Sequence, residues 1–65
     1  MSARADACAR ITENYSAEKV EGYLIDIMTA RLLLKVYEAL GPEARQKFDD
    51  PPLDRLVNWA WSKVV

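Results

Sequence analysis

The sequence has no histidine, a single cysteine, two glycines and three prolines in 65 residues. The absence of histidine removes the commonest general base and the commonest metal ligand of proteins. One cysteine cannot form an intramolecular disulfide, and this sparing use of cysteine is typical of a reducing compartment. The sequence therefore predicts neither a histidine-dependent catalytic centre nor a disulfide-stabilised secreted domain.

Long apolar runs are also missing. Uninterrupted apolar stretches reach only three residues, as at Leu32–Leu34, whereas a helix that spans a bilayer needs roughly 20. Residues 1–10 alternate charged and small side chains and lack the apolar segment of a targeting peptide. We therefore expect a cytoplasmic protein that makes no use of a membrane.

Neither sign of charge is in large excess, because the sequence has nine basic and ten acidic residues and a net charge of −1. Nucleic-acid binding needs clustered Lys and Arg side chains, and here the basic residues are spread along the chain. A small helix-turn-helix-like DNA-binding regulator is nevertheless an alternative, since residues 27–64 read as helices separated by turns. In that alternative the reading helix is 53–64 or 42–49.

The residues that are present favour a folded chain. The sequence is 51% hydrophobic. Disordered segments instead combine a low hydrophobic content with a high net charge. Area scaling gives about 4,200 Å² of surface for the folded chain against about 10,700 Å² unfolded. We therefore predict a single domain over residues 1–65 with one small core.

Sparse turn signals divide the chain into helices. The clearest is Gly41-Pro42, where Gly41 suits the left-handed residue after one helix and Pro42 suits the start of the next. Softer breaks lie at residues 14–16 and 49–52, where Ser16 and Asp residues can cap helices. No stretch shows the period-two alternation of a hairpin. The predicted fold class is therefore all-α, a bundle of four to five short helices at about 3–14, 17–25, 27–40, 42–49 and 52–64.

The segment 17–40 has an apolar stripe that changes direction on a helical wheel of about 100° per residue. Val20, Leu24 and Ile27 cluster on one side in the first half, and Val36 and Leu40 lie on the other side in the second half. One explanation is a break, with Asp26 capping a new helix. The other is one continuous helix of about 24 residues whose uncovered half contacts another chain.

The last helix has a single apolar stripe, and together with the preceding segment it supplies the predicted core. Trp61 lies on the border of that stripe and Trp59 on its polar flank. The core candidates share apolar side chains at helical spacing: Leu33, Val36, Tyr37, Leu40, Phe48, Leu53, Leu56, Val57, Ala60 and Val64.

Residues able to carry chemistry are few, and each has a structural interpretation that we favour. Cys8 lies among alanines and is expected to pack as a small apolar side chain. Asp49 and Asp50 are expected to act in capping and turn formation, since Pro51 follows at once. The serines have no imidazole to activate them. We predict no enzymatic activity, no metal and no cofactor.

Residues 26–64 resemble a short helical module found at the C-terminus of small proteins encoded by phages and mobile elements. The resemblance rests on Thr-Ala-x-x-Leu-x-x-Val-Tyr-Glu-Ala-Leu from Thr29, then Lys-Phe, Pro-Leu-x-Arg-Leu and Ala-Trp. The matching positions are mostly core and capping types: Asp26, Thr29, Ala30, Val36, Tyr37, Leu40, Phe48, Pro52, Leu53, Ala60 and Trp61. The resemblance therefore implies a fold, and it favours Asp26 as a helix cap.

A phage-like origin also implies a kind of function. In size and character the chain is similar to anti-CRISPR proteins, which occlude a host complex without catalysis. We therefore predict a protein–protein interaction protein that inhibits a host defence complex, with partner-binding residues Tyr23, Met28, Arg31, Lys35 and Trp59. The main alternative is a self-associating helical homodimer that uses the apolar face of residues 17–28.

Overall fold

The structure is a computed structural model that describes residues 2–64. Six elements follow one another along the chain: α1 (Ala3–Asn14), β1 (Glu18–Val20), β2 (Tyr23–Ile25), α2 (Ile27–Ala39), α3 (Pro42–Gln46) and α4 (Leu53–Ser62). Helices make up 63% of the structure. The prediction of a small, mostly helical fold is confirmed, but the fold is not purely all-α because it contains a two-stranded sheet.

The helix predicted at 17–25 is wrong, because this segment forms an antiparallel β-hairpin. Glu18 lies opposite Ile25 and Val20 lies opposite Tyr23. Ile25 is fully buried, so its side chain anchors β2 to the core. The homodimer face that the sequence indicated over 17–28 therefore does not exist as one helical surface.

The tight turn explains why the hairpin replaces the helix. Glu21 and Gly22 are its two central residues, with φ of 53° and 78°, and a two-residue turn with both φ positive matches the right-handed twist of the paired strands. Within a helix, Gly22 would instead cost about 1 kcal/mol relative to alanine. The flanking Val20 and Tyr23 also belong to the residue types that favour strands.

A helix cap at Asp26 decides between the two alternatives for the segment 17–40. The backbone of Asp26 is extended, and its carboxylate accepts a hydrogen bond of 2.7 Å from the Thr29 N–H. This bond to the charged form holds the pKa of Asp26 below its ordinary value. The continuous helix is therefore wrong, and α2 begins at Ile27, as the break required.

The N-terminus of α1 is capped from two directions. The Ser2 hydroxyl accepts a hydrogen bond from the Ala5 N–H at 3.1 Å and donates one to the Asp49 carboxylate. The second Asp49 oxygen accepts from the Ala3 N–H at 2.9 Å. Asp49 thus caps a helix distant in sequence, whereas α4 begins after Pro52 without a side-chain cap.

Two other breaks differ in detail from the sequence prediction. Gly41 has a φ of −73° and is the N-cap of α3, rather than a left-handed residue after α2. The helix expected at 42–49 ends at Gln46, and Phe48 lies in the following turn, where it is buried against the Tyr37 ring at 4.9 Å between ring centroids.

The core lies where α1 and α4 pack on α2. Its buried members come from four elements and one turn: Ala5, Cys8, Ile11, Ile25, Ala30, Leu33, Phe48, Leu53, Leu56, Val57 and Ala60. Ile11 and Leu33 are fully buried, so α1 contributes as deeply as α2 does. The sequence prediction omitted α1 from the core because its apolar positions are mostly alanine.

Most predicted core residues after α1 are buried or pack against the core. Val36, Tyr37 and Leu40 are partly buried against it. Val64 is the exception, since it is 60% exposed. The helix expected at 52–64 ends at Ser62, so Val64 no longer follows the apolar stripe.

The side chain of Arg4 joins three segments of the fold. Arg4 is only 3% exposed, and its Nε and Nη2 donate to the two Glu21 carboxylate oxygens at 2.7 and 2.8 Å. Its Nη1 donates to the Phe48 carbonyl at 3.1 Å. Because an unpaired buried charge is strongly unfavourable, α1 requires both the hairpin turn and the turn before α4.

We expect Glu21→Gln to lower stability at neutral pH by about 1 kcal/mol, because the Arg4 guanidinium keeps its charge and loses the carboxylate that neutralises it, while an amide oxygen can still accept a hydrogen bond from it. The hydrogen bonds from Arg4 hold the pKa of Glu21 below its ordinary value of 4.5. The pair therefore stabilises the fold above pH 4.5, and that contribution is lost as the pH falls through the lowered pKa.

Urea midpoints measured at neutral pH and below pH 4.5 test this expectation. The Glu21→Gln protein should lose less stability on acidification than the wild type. Glu13→Gln is the matched control, since Glu13 is exposed and forms no ion pair with the residues described. Equal acid sensitivity in Glu21→Gln and wild type would contradict the role of the pair.

We expect Leu56→Asp to abolish folding at neutral pH. Leu56 is 6% exposed, and burying an unpaired carboxylate costs several kcal/mol, while a domain of this size has only about 3–10 kcal/mol of stability. Asn58→Asp places the same charge on an exposed position of α4 and should keep the wild-type melting curve by circular dichroism. Wild-type melting of Leu56→Asp would show that the core is wrongly assigned.

Candidate partner-binding groove

One face of α2 carries both apolar and cationic side chains. Met28, Arg31, Leu32 and Lys35 are spaced by three and four residues, which places them in a row on one side of a helix. The Asp26 cap fixes where the helix begins and thereby where this row starts.

The end of α4 supplies the opposite wall. Ala60 is fully buried, and the residue after it, Trp61, is 39% exposed at the edge of the core. Val64 follows the end of the helix and is 60% exposed. Burial of the α4 stripe against the core therefore leaves Trp61 and Val64 at the surface beside α2.

These side chains line an open groove of about 260 Å³ between α2 and the end of α4. Its lining consists of Met28, Arg31, Leu32, Lys35, Trp61 and Val64. Met28 is 65% exposed, although a methionine gains about 1.5–3 kcal/mol when fully buried. Several large apolar side chains exposed side by side are a feature of interaction surfaces.

Positive charge accompanies the apolar side chains of the groove. Arg31 and Lys35 are exposed, and neither forms an ion pair with any residue from 2 to 64. By contrast, Arg10 pairs with Glu18 at 2.7 Å and Arg4 pairs with Glu21.

The structure brings together three of the five residues that the sequence indicated for partner binding. Met28, Arg31 and Lys35 all line the α2–α4 groove. Tyr23 lines a different groove beside the hairpin turn. Trp59 lines neither, and the Lys63 ammonium lies over its ring, 5.2 Å from the centroid.

The tryptophan that lines the groove is Trp61, and not Trp59, which was predicted to bind the partner. On a helical wheel Trp61 lies at the border of the buried stripe, and a border position indicates partial burial without showing which neighbour lies beside it. The only available signal was size, since an indole next to the fully buried Ala60 is too large to be covered completely by so small a core.

The thiol of Cys8 is unsuited to act as a nucleophile. Cys8 is 2% exposed, and burial raises its pKa to about 11, whereas reactivity requires the thiolate. The expectation that it packs as a small apolar residue is confirmed. Within residues 2–64 no group of three His, Cys, Asp or Glu residues is arranged to hold a metal ion.

We expect Cys8 to be inert toward a thiol reagent such as dithionitrobenzoate in the native protein at neutral pH, because its thiol is both buried and protonated. In denaturant the thiol should become accessible, and each chain should then release one equivalent of thionitrobenzoate. The measurement is the absorbance of the released thionitrobenzoate. Rapid labelling of the native protein would contradict the burial of Cys8.

Comparison with known proteins identifies no relative, since no family model, curated protein or solved structure matches this chain. Over residues 2–64, none of the helices has both the length and the apolar character that crossing a membrane requires.

Proposed function

We propose that this chain is a non-catalytic protein-binding domain whose partner docks on the α2–α4 groove. The observation that carries the proposal is the exposure of Met28 and Trp61 in one apolar groove, beside side chains of the core. Tryptophan and methionine are enriched at protein interfaces, and tryptophan is prominent among the residues that dominate binding energy. Covering both side chains would contribute several kcal/mol to association before its entropic costs.

Two acidic side chains that could do chemistry already have structural roles, which supports a non-catalytic function. Asp49 caps α1 through Ser2 and Ala3. Glu21 neutralises the buried guanidinium of Arg4.

The partner that we propose is a host protein complex in the bacterial cytoplasm, with the chain acting as a phage-encoded inhibitor of a defence system. Support for this narrower proposal is the resemblance of residues 26–64 to helical modules of phage and mobile-element proteins.

Capture from bacterial lysate with two matched variants tests the use of the groove. We expect Met28→Glu to reduce partner capture about tenfold or more, because a carboxylate would enter an apolar contact. The fold should be unaffected, since Met28 is 65% exposed and a negative charge is favourable in the first turn of a helix.

Leu24→Glu is the control. Leu24 is 61% exposed, lies outside the groove and is opposite Lys19 in the hairpin. A glutamate introduced there would lie beside the Lys19 ammonium, so the fold should tolerate it. Wild type and Leu24→Glu should retain the same proteins, quantified by mass spectrometry. Equal capture by all three proteins would show that the groove is not the binding surface, and no capture by the wild type would contradict a partner in the bacterial cytoplasm.

A further inference from the structure

The charged side chains among the described residues that line the α2–α4 groove are both cationic. They are Arg31 and Lys35, and the lining between residues 2 and 64 includes no Asp or Glu. Two other grooves on the described surface each include acidic residues, with Asp49 in one and Glu21 and Asp54 in the other. A chain of net charge −1 thus has a local cationic edge beside its exposed apolar side chains.

The spacing of these groups defines the shape of what fits. Arg31 and Lys35 are four residues apart, so they are separated along α2 by about 6 Å, and the row from Met28 to Lys35 extends about 10 Å. An amphipathic helix seated in a groove between two helices uses side chains at the same three- and four-residue spacing. Two to three helical turns would cover the row.

We infer that the groove binds an acidic amphipathic helix of a partner protein. Apolar side chains of that helix contact Met28 and Trp61, and two of its carboxylates, four residues apart, pair with Arg31 and Lys35. The inference rests on the proposed function and specifies its ligand. Opposite charges at the rim of an interface speed encounter and fix the register of the bound helix.

Two other occupants fit the observations less well. A second copy docked groove to groove would place Arg31 and Lys35 against the same residues of its twin, and like charges across an interface are unfavourable. Proteins bind anionic membrane surfaces through clusters of about four to eight basic residues. This groove has two basic residues, on a chain of net negative charge.

A displayed library of helix-forming peptides, about 16 residues long so that it spans more than four turns, tests the inference. It is selected in parallel against the wild type and against Arg31→Glu/Lys35→Glu. Wild-type selections should converge on an apolar stripe flanked by Asp or Glu four residues apart. The double variant should instead select Lys or Arg at those positions and should bind the acidic peptides about tenfold more weakly.

Lys19→Glu/Lys47→Glu is the matched control, because it changes the net charge by the same amount at exposed positions outside the groove. This protein should select and bind the same acidic peptides as the wild type. The inference is overturned if no peptide is enriched on the wild type over Arg31→Glu/Lys35→Glu, or if both double variants weaken binding equally.

Two further measurements distinguish the alternative occupants. Wild-type protein should remain monomeric in sedimentation equilibrium and should not co-sediment with vesicles of phosphatidylcholine and phosphatidylserine. A dimer broken by Met28→Glu, or vesicle binding lost in Arg31→Glu/Lys35→Glu, would overturn the inference. Peptides that require Met28 but carry no acidic residues would overturn it while leaving the proposed function intact.

Discussion

The buried guanidinium of Arg4 is the interaction on which the rest of the structure depends. A guanidinium that is only 3% exposed is costly unless it is paired, and here the half-exposed carboxylate of Glu21 supplies the opposite charge while the Phe48 carbonyl accepts a further hydrogen bond. These partners are 17 and 44 residues away in sequence. Glu21 has the positive φ of 53° that the hairpin turn requires, although non-glycine residues disfavour it, and its carboxylate contacts Arg4 from this position. The first helix, the hairpin turn and the turn before α4 consequently form a single assembly.

This assembly determines which side of α2 is left exposed. The hairpin brings fully buried Ile25 into the core, and the next residue, Asp26, caps α2. Helical geometry then turns Leu33 into the core and leaves Met28 at the surface, where the end of α4 places Trp61 beside it. The groove is therefore the region that a core of this size leaves uncovered, and its two cations lie along the uncovered edge.

Signals confined to a few neighbouring residues were readable from the sequence. Asp26 and Thr29 define a helix start through one hydrogen bond, and Gly41-Pro42 separates two helices whatever surrounds them. The hairpin was missed because nine residues of mixed polarity fit a helical wheel as well as a strand pair. The features that favoured strands were the Glu21-Gly22 turn and the strand-forming types of Val20 and Tyr23 on either side of it. The importance of the turn rests on Arg4, which no local pattern connects to it.

By itself, the sequence determined a small, mostly helical chain, the cap of α2, the break before α3 and the apolar stripe of α4. It also indicated Met28, Arg31 and Lys35, because residues three and four apart share a helix face in any fold. Only the tertiary structure decided that Trp61, rather than Trp59, joins them, and that Asp49 caps α1. The physical reason is that intrahelical spacing is set by backbone geometry, whereas contacts between α2 and α4, or between Ser2 and Asp49, depend on how all the elements pack on one core.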